Sequence, residues 1–249
     1  MPTILITNDD GIFSPGIEAL AVALKTIGDV IVIAPDREKS ATSQSLTITK
    51  PLKVIQINPN KYTIDGTPTD CIALGIEKIL DKKPDLVVSG INLGGNLGDD
   101  INYSGTVAAA KEGTLLGVPS FAISIVAFKD YIFEASMDIA PKIALMILKN
   151  GLPANTLLNV NLPLLPPDQI KGIKYTKQGK RIYNNSIKEI NDPWGRPHFW
   201  IGGGIPTWDG GDDSDYHAIS NGYISITPLQ LDMTDYEYLK KLRASSNLL

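Results

Sequence analysis

The sequence predicts an α/β protein built around a doubly wound, mostly parallel β-sheet. Three observations support this fold class. Short apolar runs alternate with segments of helical apolar spacing through the first two-thirds of the 249-residue chain. Acidic, polar or glycine-rich segments follow several of these runs, as loops follow buried strands. The composition, 43% hydrophobic and 20% charged, is ordinary for a globular protein.

The chain opens with a strand, a helix and a second strand. Ile4–Thr7 is an apolar run typical of a buried strand. Gly16–Thr26 carries apolar residues at helical spacing, and Pro15 lies at its first turn, where a missing N–H costs nothing. Val30–Ala34 predicts the second strand. The β-branched alternation in Leu46–Ile57 favours an excursion or hairpin.

Strands and helices continue to alternate through the middle of the chain. We predict helices over Thr69–Lys82, Val107–Leu116 and Phe133–Lys149, and strands over Leu86–Ser89, Ser120–Val126 and Leu157–Leu162. Strand–helix–strand order implies parallel strands joined by right-handed crossovers, and therefore a Rossmann-like sheet.

The character of the chain changes after Pro163. Residues 164–249 are rich in Gly, Pro, Tyr and Trp, with a short strand predicted at Tyr223–Thr227 and a terminal helix near Thr234–Arg243. We expect one domain, in which residues 1–163 form the Rossmann-like core. The extension, residues 164–249, is expected to pack on that core or on another subunit and to take part in oligomerisation.

Charge and cysteine content exclude several classes of partner. The net charge is −4 without a basic block, so we expect no nucleic-acid partner. The single cysteine, Cys71, allows no intrachain disulfide and is expected to be buried. The N-terminus lacks signal-peptide features, and no uncharged run is long enough to span a membrane. The expectation is a cytoplasmic protein without a membrane partner.

Two adjacent carboxylates, Asp9 and Asp10, follow the first strand. In open α/β sheets, ligands bind outside the carboxyl ends of the strands. Neighbouring anions raise each other's pKa, and a divalent cation between them removes that penalty. We therefore predict a metal site here, while Asn8-Asp9-Asp10-Gly11 also suits a solvated turn.

Two further strand ends carry oxygen donors. The second strand leads to the hydroxyl-rich segment Ser40–Ser45, and the Leu86–Ser89 strand leads to a glycine-rich loop with Asn92 and Asn96. Ligation by oxygen alone suits Mg²⁺, Mn²⁺ or Ca²⁺ and argues against structural zinc. A polar loop or helix cap for the serines, and turn geometry for the asparagines, are the alternatives.

Ser104-Gly105-Thr106 precedes the Val107–Leu116 helix. A helix N-terminus presents free N–H groups, so a phosphate could bind at Ser104, Gly105 and Thr106. A simple N-cap is the alternative. Tyr103 and Trp208 could stack on a base, with ordinary packing as the alternative.

Other functional signatures are missing. The chain contains no G-x-G-x-x-G at the first helix, no P-loop and no G-x-S-x-G. His198 and His217 lie in the extension, and we interpret both as structural. The acidic cluster in the segment 209–215 lacks regular calcium-loop spacing and is interpreted as a solvated loop.

Six segments of the chain carry a joint pattern. The segments are Thr7-Asn8-Asp9-Asp10-Gly11, Ala34-Pro35-Asp36-Arg37-Glu38-Lys39-Ser40-Ala41-Thr42, Gly66-Thr67-Pro68-Thr69-Asp70-Cys71, Ser89-Gly90-Ile91-Asn92-Leu93-Gly94-Gly95-Asn96-Leu97-Gly98, Tyr103-Ser104-Gly105-Thr106-Val107 and Gly222-Tyr223-Ile224-Ser225-Ile226-Thr227-Pro228-Leu229. Together, and in this order across nearly the whole chain, they resemble one family, the SurE survival proteins, which are metal-dependent 5′-nucleotidases.

The resemblance implies a metal-dependent phosphatase that hydrolyses nucleoside 5′-monophosphates to nucleoside and phosphate. It implies one divalent ion per subunit, Mg²⁺ or Mn²⁺, bound by Asp9, Asp10, Ser40 and Asn92. It places the substrate phosphate at Asn96 and at Ser104–Thr106. It also implies a homodimer or homotetramer, with a hairpin arm and a C-terminal segment exchanged between subunits.

In the mechanism expected from this site, Asp9 and Asp10 are the catalytic residues. Both bind the metal, and Asp9 also orients or deprotonates the attacking water. A non-catalytic protein that binds nucleotide or phosphate for regulation is the alternative, and turnover separates the two. A third interpretation, a glycosyltransferase with an Asp-Asp metal site, requires an acceptor domain that the sequence does not indicate.

Overall fold

The computed structural model describes residues 1–127, 131–183, 187–201 and 207–245. The described part folds into strands and helices in the order expected for an α/β protein. The strands are β1 (Thr3–Thr7), β2 (Asp29–Pro35), β3 (Val54–Asn58), β4 (Lys61–Ile64), β5 (Leu86–Leu93), β6 (Ser120–Val126), β7 (Thr156–Pro163), β8 (Ile173–Tyr175), β9 (Lys180–Ile182), β10 (Ile187–Asn191), β11 (Pro197–Ile201), β12 (Thr207–Asp209) and β13 (Ile224–Gln230).

Six α-helices accompany these strands in the same part of the chain. They are α1 (Pro15–Leu24), α2 (Pro68–Leu74), α3 (Gly105–Leu115), α4 (Glu134–Asn150), α5 (Asp215–Ser220) and α6 (Tyr236–Ala244). A π-helical turn, Gly75–Ile79, follows α2, and 3₁₀ turns lie at Gly98–Asn102 and Pro167–Gln169.

Nine strands form one sheet in the order β3-β4-β2-β1-β5-β6-β7-β13-β8. Six consecutive strands of the sheet run parallel to one another, and these are β4, β2, β1, β5, β6 and β7. The edge strand β3 is antiparallel to β4, and β13 is antiparallel to β7. The prediction of a mostly parallel α/β fold is confirmed.

The direction of winding reverses at β1. The next strand along the chain, β2, lies on one side of β1, and β5 lies on the other. Parallel sheets open a crevice at such a reversal, at the carboxyl ends of the two strands. The loops that follow β1 and β5 therefore meet at one edge of the sheet.

The strand β1 is buried on both faces because its alternate side chains enter different clusters. Ile4 and Ile6 pack in a cluster that contains Leu20 of α1, whereas Leu5 packs with Ile33 and other apolar side chains on the opposite face. All the residues from 4 to 6 are inaccessible to solvent. This two-sided burial explains why the strand is a continuous apolar run instead of an alternating one.

Two predicted elements differ from the structure. The helix expected over Thr69–Lys82 is shorter, because α2 ends at Leu74 and passes into the π-helical turn, which ends at Ile79. The hairpin expected within Leu46–Ile57 lies further along the chain, with β3 pairing antiparallel to β4. Only β3 overlaps the predicted range, since residues 46–53 form neither strand nor helix.

The extension contributes to the central sheet. The strand expected at Tyr223–Thr227 is β13, which pairs with β7 from Ser225 to Gln230 and carries β8 on its other side. The hairpin formed by β10 and β11 is exposed at all ten positions. Cys71 is buried, as expected, and its burial raises the pKa of the thiol.

Among the residues that the structure describes, no helix combines the length and the apolar character needed to cross a membrane.

Candidate metal and phosphate site

A polar cavity of about 450 Å³ lies at the carboxyl ends of β1 and β5. Six of the eight predicted site residues line it, and these are Asp9, Asp10, Ser40, Asn92, Asn96 and Ser104. The other two, Gly105 and Thr106, do not line the cavity but contact Asp9 at the start of α3. The structure therefore brings residues from four separate loops to one place.

Asp9 is almost fully buried at the end of β1. Thr106 donates a hydrogen bond from Oγ1 to Oδ1 of Asp9 over 2.5 Å, which is short for such a contact. Burial raises the pKa of Asp9, and the Thr106 hydrogen bond opposes that rise. The first turn of α3 thus holds Oδ1 of Asp9 in place.

Asp10 is partly buried, and no positive charge in the part of the chain that the structure describes compensates its carboxylate. Within the described residues its Oδ2 has no hydrogen-bond partner. Burial, followed by the negative charge of Asp9, raises the pKa of Asp10 to about 7. A bound divalent cation would remove both causes, since it supplies positive charge and a ligand bond to this oxygen.

The other two predicted ligands carry neutral oxygens. Ser40 is exposed and donates from Oγ to Oε1 of Glu38 over 2.6 Å. Asn92 donates from Nδ2 to the carbonyl oxygen of Gly94 over 2.6 Å, next to a register irregularity between β5 and β6. In the described chain its Oδ1 accepts no hydrogen bond. A hydroxyl and an amide oxygen complement two carboxylates as ligands for a hard cation.

Among the described residues, no three His, Cys, Asp or Glu side chains are grouped so that they could hold a metal ion. The arrangement at Asp9 and Asp10 therefore offers two carboxylates supplemented by neutral oxygens. Such a ligand set leaves coordination positions for water and for substrate oxygens, as is usual for Mg²⁺.

Asn96 is held by polar side chains from the neighbouring strands. Its backbone N–H donates to Oδ1 of Asn161, and its carbonyl oxygen accepts from the amides of Asn159 and Asn161. Its own Nδ2 donates to Oγ of Ser124 over 2.8 Å. Sequence reasoning missed these three supports. A signal was present for two of them, because two asparagines spaced by two interrupt the apolar strand β7 on one face.

The start of α3 is pressed against the acidic loop. Ser104 caps the helix, with its Oγ accepting from the backbone N–H of Val107 over 3.0 Å. A Cβ placed on Gly105 would lie 2.8 Å from Cβ of Asp9 and 3.2 Å from Oγ1 of Thr42. Glycine is required here because any side chain would push the helix away from the carboxylates.

The acidic loop of the extension corrects one sequence interpretation. Asp209, Asp212 and Asp213 are exposed, as expected of a solvated loop, but Asp215 is fully buried. It accepts hydrogen bonds from the backbone N–H groups of Gly98, Gly179 and Tyr216 at 2.7–2.9 Å. Only the fold revealed this, because Gly98 lies more than a hundred residues earlier in the chain.

Several further residues enter the cavity wall without having been assigned a role. Glu38 and Asp100 line it, together with Tyr103, which sequence reasoning considered only for stacking. The histidines lie elsewhere. Nε2 of His198 is 3.5 Å from Asp192, and His217 is similarly close to Asp212, so both contact acidic residues of the extension.

Comparison with known proteins assigns a family to this arrangement. The profile of the family described as Survival protein SurE matches residues 4–185. A protein of Aquifex aeolicus named 5′-nucleotidase SurE is 50% identical over 245 residues, which cover 98% of each chain. Proteins of the same name from Geotalea uraniireducens and Pelobacter propionicus are 50% and 48% identical, and the match covers at least 95% of each chain.

The fold agrees with that family as well. A crystal structure described as that of the SurE protein from Aquifex aeolicus superposes with a TM-score of 0.87. The two chains are 47% identical, and the superposition covers 98% of this chain and 99% of the other.

Proposed function

This chain belongs to the Survival protein SurE family, and we propose from that premise that it is a 5′-nucleotidase. The reaction is hydrolysis of a nucleoside 5′-monophosphate to nucleoside and phosphate. The observation that carries the proposal is the convergence of Asp9, Asp10, Asn96 and Ser104 on one cavity, combined with near-complete coverage by relatives named 5′-nucleotidase SurE.

We propose that one divalent cation per subunit, Mg²⁺ or Mn²⁺, is held by Asp9, Asp10, Ser40 and Asn92. The fit is supported by the buried, unpartnered Oδ2 of Asp10 and by the all-oxygen donor set. A bound ion of this kind neutralises phosphate charge and lowers the pKa of a coordinated water.

We further propose that the substrate phosphate binds between Asn96 and the first turn of α3. The hydroxyl of Ser104 remains a donor while its oxygen caps the helix. Thr106 directs its hydroxyl, and also its backbone N–H, towards the carboxylate of Asp9, so the backbone donor left at the helix start is the N–H of Gly105. The first N–H groups of a helix have no partner within the helix and suit an anion.

In this mechanism Asp9 has a second role. One of its oxygens accepts from Thr106, which leaves the other to orient or deprotonate the attacking water. Asp10 contributes negative charge and ligand oxygens. Asn96, Ser104 and the helix N–H groups hold the phosphoryl oxygens as charge develops on them.

A panel of nucleotides assayed after chelator treatment tests the proposal. The chelated protein should be inactive towards AMP, and Mg²⁺ or Mn²⁺ should restore phosphate release. Asp10→Asn should fail to respond to either metal while remaining folded. Nucleotide binding without turnover under every metal would favour the regulatory alternative. Full activity in the chelated protein would contradict the metal site.

We also propose that the protein is a homodimer or homotetramer and that the extension takes part in its assembly. The hairpin of β10 and β11 supports this, because Phe199, Trp200 and Ile201 expose large apolar side chains. Light scattering of the purified protein decides the oligomeric state. The single-domain organisation and the cytoplasmic location stay predictions of the sequence.

A further inference from the structure

Asp100 forms part of the catalytic cavity at a position that the proposed chemistry does not use. It lies in the 3₁₀ turn Gly98–Asn102, between the loop of Asn96 and the start of α3. Its side chain is only 15% exposed. A carboxylate this enclosed requires partners, and both partners come from the extension.

Arg181 and Tyr183 bind the two oxygens of Asp100. The guanidinium of Arg181 forms an ion pair with Oδ2 of Asp100, and the hydroxyl of Tyr183 donates to Oδ1. Burial and the Asp100 carboxylate raise the pKa of Tyr183 to about 12, so the phenol keeps its proton at neutral pH. The charge of Asp100 is thereby neutralised while its carboxylate remains an acceptor.

Aromatic rings hold the guanidinium of Arg181 in place. It lies 4.6 Å from the ring centre of Tyr183 and 5.3 Å from that of Trp208. Trp208 in turn stacks on Tyr216, with ring centres 4.3 Å apart. Stacked in this way, an arginine loses little further freedom when it binds a carboxylate.

The backbone of the turn is fixed by the same part of the extension. Asp215 accepts from the N–H groups of Gly98 and Gly179, and Gln178 donates from Nε2 to the carbonyl oxygen of Gly98 over 3.0 Å. The extension thus holds both the turn and its carboxylate. These contacts fix the position of Asp100 in the cavity wall.

We propose that Asp100 binds the nucleoside half of the substrate by accepting hydrogen bonds from the ribose hydroxyls, and that Arg181 and Tyr183 are positioning residues for it. This inference rests on the proposed 5′-nucleotidase function. A carboxylate only accepts hydrogen bonds and has about four acceptor sites, so two remain after its protein partners. Tyr103, 62% exposed on the same wall, offers a ring beside them.

Substrates with and without a ribose test this assignment. AMP, 2′-deoxyAMP and p-nitrophenyl phosphate share the phosphate and differ in what lies beyond it. We expect Asp100→Asn and Arg181→Gln to raise the KM for AMP about tenfold, the effect of one charged hydrogen bond, with kcat nearly unchanged. Both variants should impair the hydrolysis of AMP more than that of p-nitrophenyl phosphate, which has no ribose. The wild type should prefer AMP to 2′-deoxyAMP, and Asp100→Asn should reduce that preference.

Arg196 provides a matched control within the extension. It also pairs with an aspartate, Asp192, and its guanidinium lies 5.1 Å from the ring centre of Trp194. Unlike Asp100, however, Asp192 does not line the cavity. Arg196→Gln should leave all three substrates unaffected. Tyr183→Phe, which removes one hydroxyl only, gives a milder test if Asp100→Asn does not fold.

The outcomes separate this inference from the proposed function. A wild type inactive towards both AMP and p-nitrophenyl phosphate contradicts the 5′-nucleotidase itself. An active wild type whose variants lose all three substrates equally overturns the role of Asp100. Equal losses for AMP and 2′-deoxyAMP, with a smaller loss for p-nitrophenyl phosphate, overturn the proposal that Asp100 binds both ribose hydroxyls, because the 2′-hydroxyl then contributes nothing.

Discussion

The hydroxyl of Thr106 donates to Oδ1 of Asp9 over 2.5 Å, although the two residues are 97 positions apart in the chain. This bond ties the first turn of α3 to the acidic end of β1. It joins the proposed phosphate subsite to the proposed metal subsite, so that neither can move without the other.

Thr106→Val should weaken metal activation more than it weakens the fold. The variant keeps the shape of the side chain but removes the donor that orients Asp9. Loss of such a supporting contact typically costs about 10- to 100-fold in metal affinity. The measurement is the Mg²⁺ concentration for half-maximal phosphate release.

Thr114→Val is the control for this prediction. Thr114 is buried on the same helix, and its hydroxyl donates to the carbonyl oxygen of Ala110 over 3.0 Å. Its replacement should leave metal activation at the wild-type value. Equal metal requirements for the two variants would show that the bond to Asp9 does not orient the site.

Gly105→Ala should reduce activity at least tenfold. The added Cβ would lie 2.8 Å from Cβ of Asp9, so the helix or the acidic loop must shift. Overpacking of this kind costs about 1–3 kcal/mol of stability as well.

Gly113→Ala is the control, because a Cβ at this position of the same helix would meet Oγ of Ser120 at 2.5 Å, a comparable clash away from the cavity. Urea unfolding should show similar destabilisation of both, while only Gly105→Ala loses turnover; a similar loss in Gly113→Ala would count against the prediction.

The metal-free protein should lose stability as the pH rises from about 4 to about 7. The pKa of Asp10 is raised from 3.8 to about 7 in the folded state. A raised pKa means that the folded state holds the proton more tightly than the unfolded chain does. The stability that the Asp10 proton contributes is therefore complete below the pKa of the unfolded chain, 3.8, and is lost as the pH rises through the pKa of the folded state, about 7.

Melting temperatures of the chelated protein across this pH range test the sign. Asp10→Asn should be less sensitive to pH, because it has no proton to lose at this position. Saturating Mg²⁺ should also remove much of the decline in the wild type, since the ion favours the deprotonated carboxylate. A chelated wild type that becomes steadily more stable up to pH 7 would contradict the burial of Asp10 as the dominant cause.

Asp215→Asn should destabilise the fold by about 2–4 kcal/mol. Asp215 accepts hydrogen bonds from three backbone N–H groups, two of them in distant parts of the chain and one in the next residue, and the variant leaves at least one of them buried without an acceptor. Asp213→Asn is the control, because that exposed carboxylate forms only a surface ion pair with Lys177. Denaturant unfolding should separate the two variants clearly; equal midpoints would contradict the structural role of Asp215.

The site was predictable where its chemistry follows the strands directly. Asp9 and Asp10 come immediately after an apolar run, and Asn92 lies at the end of another, so the parallel sheet alone brings them to one edge. Asp100 was not predictable in this way. Its partners Arg181 and Tyr183 lie some eighty residues later, in irregular structure without a periodic signal.

The sequence by itself determined the order of strands and helices, the parallel core and the edge of the sheet where polar residues gather. These properties follow from local periodicity and from the handedness of crossovers, which act over short stretches of chain. Only the tertiary structure decided that Asp215 is buried, that Thr106 donates to Asp9 and that the extension supports Asp100. Such contacts depend on how distant segments pack, and a single sequence carries no local signal for them.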